Sequence, residues 1–151
     1  MRRRLLPILL CLLAFLSRAR GADAPPGRYD HVAIEPTKTS IYVGSVTMTM
    51  PLFARTNGIY ESTYTAKVFP YFFYNETGRL AITMSDESLA KLERGETAEF
   101  TGRAVTPEGE ERRIEGKATP AGAMHGKIKV RVFVSKRIEL IFNTTYRFLK
   151  K

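Results

Sequence analysis

The chain has 151 residues, with 24 Lys and Arg against 15 Asp and Glu, a formal net charge of +9 and a single cysteine, Cys11. This length suffices for one ordinary hydrophobic core and argues against a second domain. A lone cysteine excludes an intrachain disulfide framework, so stability has to come from burial.

The start, MRRRLLPILLCLLAFLSRARG, sets three arginines before an almost unbroken apolar run from Leu5 to Leu16. That is the layout of a secretory signal peptide, and the run is too short to span a bilayer, which needs about 20 apolar residues. Cleavage fits best after Gly21, because Ala19 and Gly21 supply the small residues, whereas cutting after Ala24 would set Pro25 beside the scissile bond. Residues 1–21 are therefore expected to be a signal peptide, and the protein to be exported, to a periplasm or outside the cell. Arg2, Arg3, Arg4, Arg18 and Arg20 leave with it: 24 less 5 gives 19 cations against 15 acids, a net charge of +4. Solubility alone asks for that much in a small domain, so the charge of the whole chain is poor grounds for nucleic-acid binding. The mature chain is expected to be cysteine-free, without a transmembrane segment and without a nucleic-acid partner.

Residues 22–39 carry Pro25, Pro26, Gly27 and Pro36 without a period and read as an irregular lead-in to a single β-domain over 40–151. In SIYVGSVTMTMPL the apolar even positions Tyr42, Val46, Met48, Met50 and Leu52 alternate with Ser45, Thr47 and Thr49, the pattern of a half-buried strand. Asn57-Gly58 follows between two alternating runs and predicts a two-residue hairpin. The next strand runs from Ile59 to Phe69, with Tyr60, Tyr64, Ala66 and Val68 on one face and Glu61, Thr63, Thr65 and Lys67 on the other. YNETGRL reads as a turn with Gly78 in the left-handed conformation, leading into a strand with Leu80, Ile82 and Met84 inward. A short helix is expected over about residues 86–94, capped by Ser85, with Asp86 and Glu87 facing the positive end of its dipole and Gly95 ending it. TAEFTGRAV, EERRIEGKAT, KIKVRVFV and RIELIFNTTYRF complete the strands, with Pro/Gly turns at Pro107–Gly109 and Pro120–Gly126. Seven to eight short strands and one helix predict a mainly β fold, a small antiparallel β-barrel or β-sandwich.

KVFPYFFYNETG packs Phe69, Tyr71, Phe72, Phe73 and Tyr74 around Pro70. Proline cannot donate to a ladder and is confined to edges and bulges. A bulge at Pro70 would shift parity, so that Tyr71 and Phe73 continue the inward series and Phe72 and Tyr74 stay outside near Phe69. That outer pair then either lies under the helix or the N-terminal segment, or forms an aromatic patch open to a ligand or partner. Tyr60 and Tyr64 are candidate inner lining. Lys127, Lys129 and Arg131 alternate with Ile128, Val130 and Val132 and put three cations on one face; the reading is a solvated face laced with weak ion pairs, with anion contact as the sharper alternative. His31 and His125 lie in irregular segments, no His or Cys pair has metal-ligand spacing, and no spacing asks for a nucleophile and base, so no metal, cofactor or enzyme activity is expected.

The order of three strands, one helix and two more strands is loosely similar to an OB-fold, whose barrel carries a helix between its third and fourth strands. The strands after Gly126 are surplus to that plan. A lipocalin-like closed barrel is similar in strand number, although the chain has no tryptophan. The leading expectation is an exported, non-enzymatic binding protein that takes an apolar small molecule or a protein partner through Phe69, Tyr71, Phe72 and Tyr74. The alternatives are a structural or assembly component of the cell envelope that pairs through a sheet edge, and an OB-like oligosaccharide or oligonucleotide binder.

Overall fold

The computed structural model describes residues 27–150, so the expected signal peptide lies outside the described residues. Ten strand segments form one sheet: β1 (His31–Ile34), β2 (Thr37–Ile41), β3 (Gly44–Thr49), β4 (Phe53–Thr56), β5 (Ile59–Phe69), β6 (Glu76–Thr83), β7 (Ala98–Val105), β8 (Glu111–Pro120), β9 (His125–Phe133) and β10 (Glu139–Leu149). Pro36 breaks β1 from β2, and Pro51 lies in the break between β3 and β4, but each pair acts as one stave. β1 pairs with β4, β2 pairs with β3, and β5 pairs with both β3 and β4. Each later strand pairs antiparallel with the next, and β10 returns to β1. The result is a closed antiparallel barrel of eight strands with one helix. Its connections run strictly up and down, which is the meander plan and not the Greek-key plan of an OB-fold.

Alternation explains the barrel. Leu80 and Ile82, Ile114 and Ala118, Ile128 and Val130, Phe142 and Tyr146 lie at even positions of their strands and turn inward. Outside stand charged side chains such as Arg103, Arg113, Lys117 and Lys129. That arrangement is the reverse of a transmembrane barrel, whose strands point apolar residues outward, and it suits a wall in contact with water.

One end of the barrel is plugged. Helix α1 (Asp86–Glu93) connects β6 to β7 across it, with Ser85 Oγ accepting from the Ser88 N–H at 3.1 Å, Asp86 and Glu87 in the first turn and Gly95 at φ +79° after the end. Leu89 and Leu92 are its buried face, each contributing roughly 2 kcal/mol of burial. Arg55 ties β4 to the helix, donating to the Met84 carbonyl at 3.0 Å and the Asp86 carboxylate at 2.9 Å. Tyr29 lies in the same plug: its ring meets Phe148 edge-on at 4.8 Å, Phe148 meets Tyr146 at 5.5 Å, and the Tyr60 hydroxyl donates to the Tyr29 carbonyl.

Several expectations need correction. The segment read as irregular lead-in contains β1 and most of β2; Val32 and Ile34 alternate there, but the flanking prolines hide so short a run. Tyr42 and Val43 form a two-residue turn between Ile41 and Gly44, so Tyr42 is fully exposed instead of inward, and Leu52 is also exposed, in the break after β3. Gly78 does not sit in a left-handed turn: it pairs with Tyr64 inside β6, where a Cβ would run into the Tyr64 ring and the Val105 carbonyl. Asn57-Gly58, by contrast, takes φ +52° and +79° and closes the expected hairpin.

Candidate functional site

Inside the barrel the inward residues do not fill the space. A cavity of about 110 Å³ remains, bounded toward the plug by Tyr60, Met84, Leu92, Tyr146 and Phe148. Phe100, Ile114, Phe142, Ile34, Met48, Val130 and Val132 line the rest of it. Gly116 makes room for Phe100 on the neighbouring strand, since a Cβ there would stand against the ring. The few hydroxyls in the wall are mostly engaged. Thr37 donates to the Asn143 carbonyl at 3.0 Å, Thr144 to the Glu35 carbonyl at 2.8 Å, and Tyr60 to Tyr29. Burial raises Tyr60 well above the ordinary tyrosine range and raises Tyr146 too, favouring the neutral form of both. Among the described residues no carboxylate, amine or guanidinium lines the cavity, so a charged guest would lose its hydration without a partner, while hydrocarbon would lose nothing.

At the open end, a polar clasp sits along one side of the mouth. Arg112 enters from the start of β8 and donates to Glu76 at 2.9 Å, to Glu110 at 3.0 Å and to the Val134 carbonyl at 2.9 Å. Tyr64 donates its hydroxyl to the other Glu76 oxygen. Ala104, paired with Arg112 on the intervening β7, is small enough to leave the span clear. Burial and the Glu76 hydrogen bond raise the Tyr64 pKa, and the Glu76 bond raises that of Arg112. Two carboxylates surround one guanidinium, so the clasp offers no spare cation to an anionic guest. Sequence reasoning missed it, although Arg112 shares the inward parity of Ile114 and Ala118.

Around the same mouth lie the β2–β3, β5–β6, β7–β8 and β9–β10 connections. The β5–β6 connection carries the aromatic stretch. β5 ends at Phe69, and Phe72–Tyr74 makes one 3₁₀ turn, so the strand does not continue through a bulge. Phe72, Phe73 and Tyr74 are 66%, 78% and 67% exposed, Phe69 is exposed, and Tyr71 is half-buried. Among the described residues neither the helix nor the stretch just before β1 covers them, because both sit at the opposite end. The rings pack on one another instead, Phe69 on Phe72 at 6.1 Å, Tyr71 on Phe73 at 5.9 Å and Phe73 on Tyr74 at 4.6 Å. Asn75 fixes the loop by accepting from the Val68 N–H at 2.8 Å, and the Tyr74 N–H donates to the Tyr71 carbonyl at 3.0 Å. The β2–β3 turn touches this loop: a Cβ on Gly44 would collide with the Phe69 carbonyl.

Of the other sequence candidates, Tyr60 lines the cavity, whereas Tyr64 is buried above it in the clasp. Lys127, Lys129 and Arg131 are exposed on the outer wall, on β9, three strands round from the aromatic loop. Arg131 pairs with Glu139 at 3.0 Å, and the neighbouring strands carry Arg113–Glu115 and Lys117–Glu99 pairs at 3.0 and 3.3 Å. The barrel wall also has a seam. After the Glu35 N–H to Thr145 carbonyl bond, β2 and the upper half of β10 face each other with no backbone ladder among the described residues; the Thr37 side chain bridges them.

Comparison with protein-family models, with curated proteins and with solved structures finds no match to this chain. The cavity, the mouth and the outer wall carry the functional argument.

Proposed function

We propose that this is an exported, non-enzymatic barrel that holds an apolar small molecule in its interior, with the aromatic loop as the rim of the entrance. The observation that carries this reading is the 110 Å³ apolar cavity, whose walls present no charged group. An empty apolar space of this size forfeits packing in the free protein, and a hydrocarbon guest restores it. Because the clasp is already balanced, the guest's exposed end is neutral or cationic and not a carboxylate. The seam between β2 and β10 is where the wall opens most cheaply, since one side-chain hydrogen bond replaces a ladder there. The sheet-edge reading has little to work with, because the barrel closes and its remaining unpaired edges face each other. An oligosaccharide or oligonucleotide surface would need Lys127, Lys129 and Arg131 beside the aromatics, and they stand on a distant part of the wall.

Titration with an apolar naphthylamine dye tests the reading. Saturable fluorescence enhancement at one dye per barrel is expected, abolished by Val130→Trp, which fills the cavity, and retained by Phe72→Ser. Dye binding that Phe72→Ser removes and Val130→Trp leaves intact would move the site to the outer loop and end the interior reading.

A further inference from the structure

Among the described residues most of the exposed large apolar side chains lie at one end; Leu52, in the break between β3 and β4, and Ile59, at the plugged end, are the exceptions. The β2–β3 turn carries Tyr42 at 103% exposure and Val43, the β5–β6 loop carries Phe72, Phe73 and Tyr74, and the β9–β10 turn carries Ile138. These three connections are neighbours around the mouth, because β3 pairs with β5 and β2 lies beside β10. Cations flank them: Lys67 precedes the aromatic loop, and Lys136 and Arg137 adjoin Ile138, all exposed and without an ion pair among the described residues. The fourth connection, β7–β8, is acidic, with Glu108 and Glu110 and with Glu111 at the start of β8; it lies across the mouth from β2–β3 and adjoins the other two connections, where Arg112 pairs with Glu110 and Glu76.

We infer that the three apolar loops dock the barrel, mouth down and tilted away from β7–β8, on the surface of a bilayer containing anionic lipid. Three features favour a lipid surface over a protein partner. The apolar groups are convex tips on separate turns, not the walls of a groove that would mould a partner. Tyr42 is as exposed as in an open chain and meets no complementary surface, which suits entry into a fluid phase. Phenylalanine tips with tyrosine hydroxyls and adjacent Lys and Arg match the layered chemistry of an interface, hydrocarbon below and phosphate above. Docking uses groups outside the cavity and stands whether or not the interior holds a guest; where both hold, the mouth faces the phase in which an apolar guest dissolves.

Vesicle sedimentation of the mature protein tests this, with phosphatidylcholine alone and with phosphatidylcholine mixed with phosphatidylglycerol. Binding to the mixed vesicles is expected, weakened by raising salt to about 0.5 M, where charges are screened within a few ångströms. Phe72→Ser with Phe73→Ser is expected to lower binding about tenfold or more without moving the melting temperature, since both rings are exposed. Lys136→Glu with Arg137→Glu is expected to remove the preference for phosphatidylglycerol, and Lys127→Glu with Lys129→Glu on the outer wall to change little. Val130→Trp is expected to lose dye and still sediment, which separates this test from that of the cavity. No sedimentation with either vesicle would overturn docking, as would equal loss from the outer-wall pair. A dimer in solution that the Phe72, Phe73 variant dissociates would replace the lipid surface with a protein interface.

Discussion

The two ends of the barrel solve opposite problems with similar residues. At the plugged end Tyr29, Tyr60, Tyr146 and Phe148 pack on one another under α1, and their apolar area holds the fold together. At the mouth Phe69, Phe72, Phe73 and Tyr74 touch chiefly each other and stay in water. The lesson is that an aromatic cluster is read by what its rings exclude. The first cluster excludes water from the core, while the second leaves apolar area that only a ligand, a surface or a partner can cover.

This comparison can be broken or sharpened by substitution. Phe148→Ala, at the centre of the plug, should cost about 4 kcal/mol of unfolding free energy in urea titration. Arg112→Ala should cost about 2 kcal/mol, less than a fully buried pair because Arg112 and Glu76 are 18% and 28% exposed. It should also speed amide exchange near Val134, whose carbonyl Arg112 holds.

Alkaline pH supplies a third test. Burial raises Tyr60, Tyr64 and Tyr146 above their unfolded value of about 10, so the folded state favours their neutral forms. That contribution is complete below pH 10 and is lost as the unfolded tyrosines ionise above it. Stability should therefore decline beyond pH 10 by about 1.4 kcal/mol per pH unit for each tyrosine still neutral in the fold. Tyr146→Phe should make the decline shallower, and a profile flat to pH 12 would contradict the burial of these hydroxyls.

Tyr29→Phe should raise stability by up to about 1 kcal/mol, because the Tyr29 hydroxyl is buried without a hydrogen-bond partner among the described residues. Phe72→Ser should change stability by less than about 0.5 kcal/mol, as exposed positions do. A large loss there would mean that the mouth cluster is core after all, and the contrast between the ends would fail.

Much of the barrel is legible in the chain. Asn57-Gly58 marks its hairpin, Ser85 and Gly95 bracket α1, and alternation assigns Tyr60, Leu80, Ile82 and Met84 inward. The misses share a physical cause, which is that local pattern does not report distant partners. β1 is four residues between prolines and becomes a strand because β4 and β10 offer ladders on both sides. Tyr42 continues an alternation that the chain interrupts with a turn, and the only turn signal, Gly44, stands past its end. Alternation tells which side chains face inward but not whether they meet across the barrel, so the cavity was beyond reach. The exposure of Phe72 and Tyr74 depended in the same way on where α1 packs, and it packs on the opposite end.

Native mass spectrometry of the protein recovered from the exported fraction, set against its denatured mass, tests the central claim most directly. The account predicts a chain starting at Ala22 that carries one non-covalent apolar adduct, absent from Val130→Trp. Bare protein that also fails to take up the naphthylamine dye would show that the barrel interior is packing space and not a binding site.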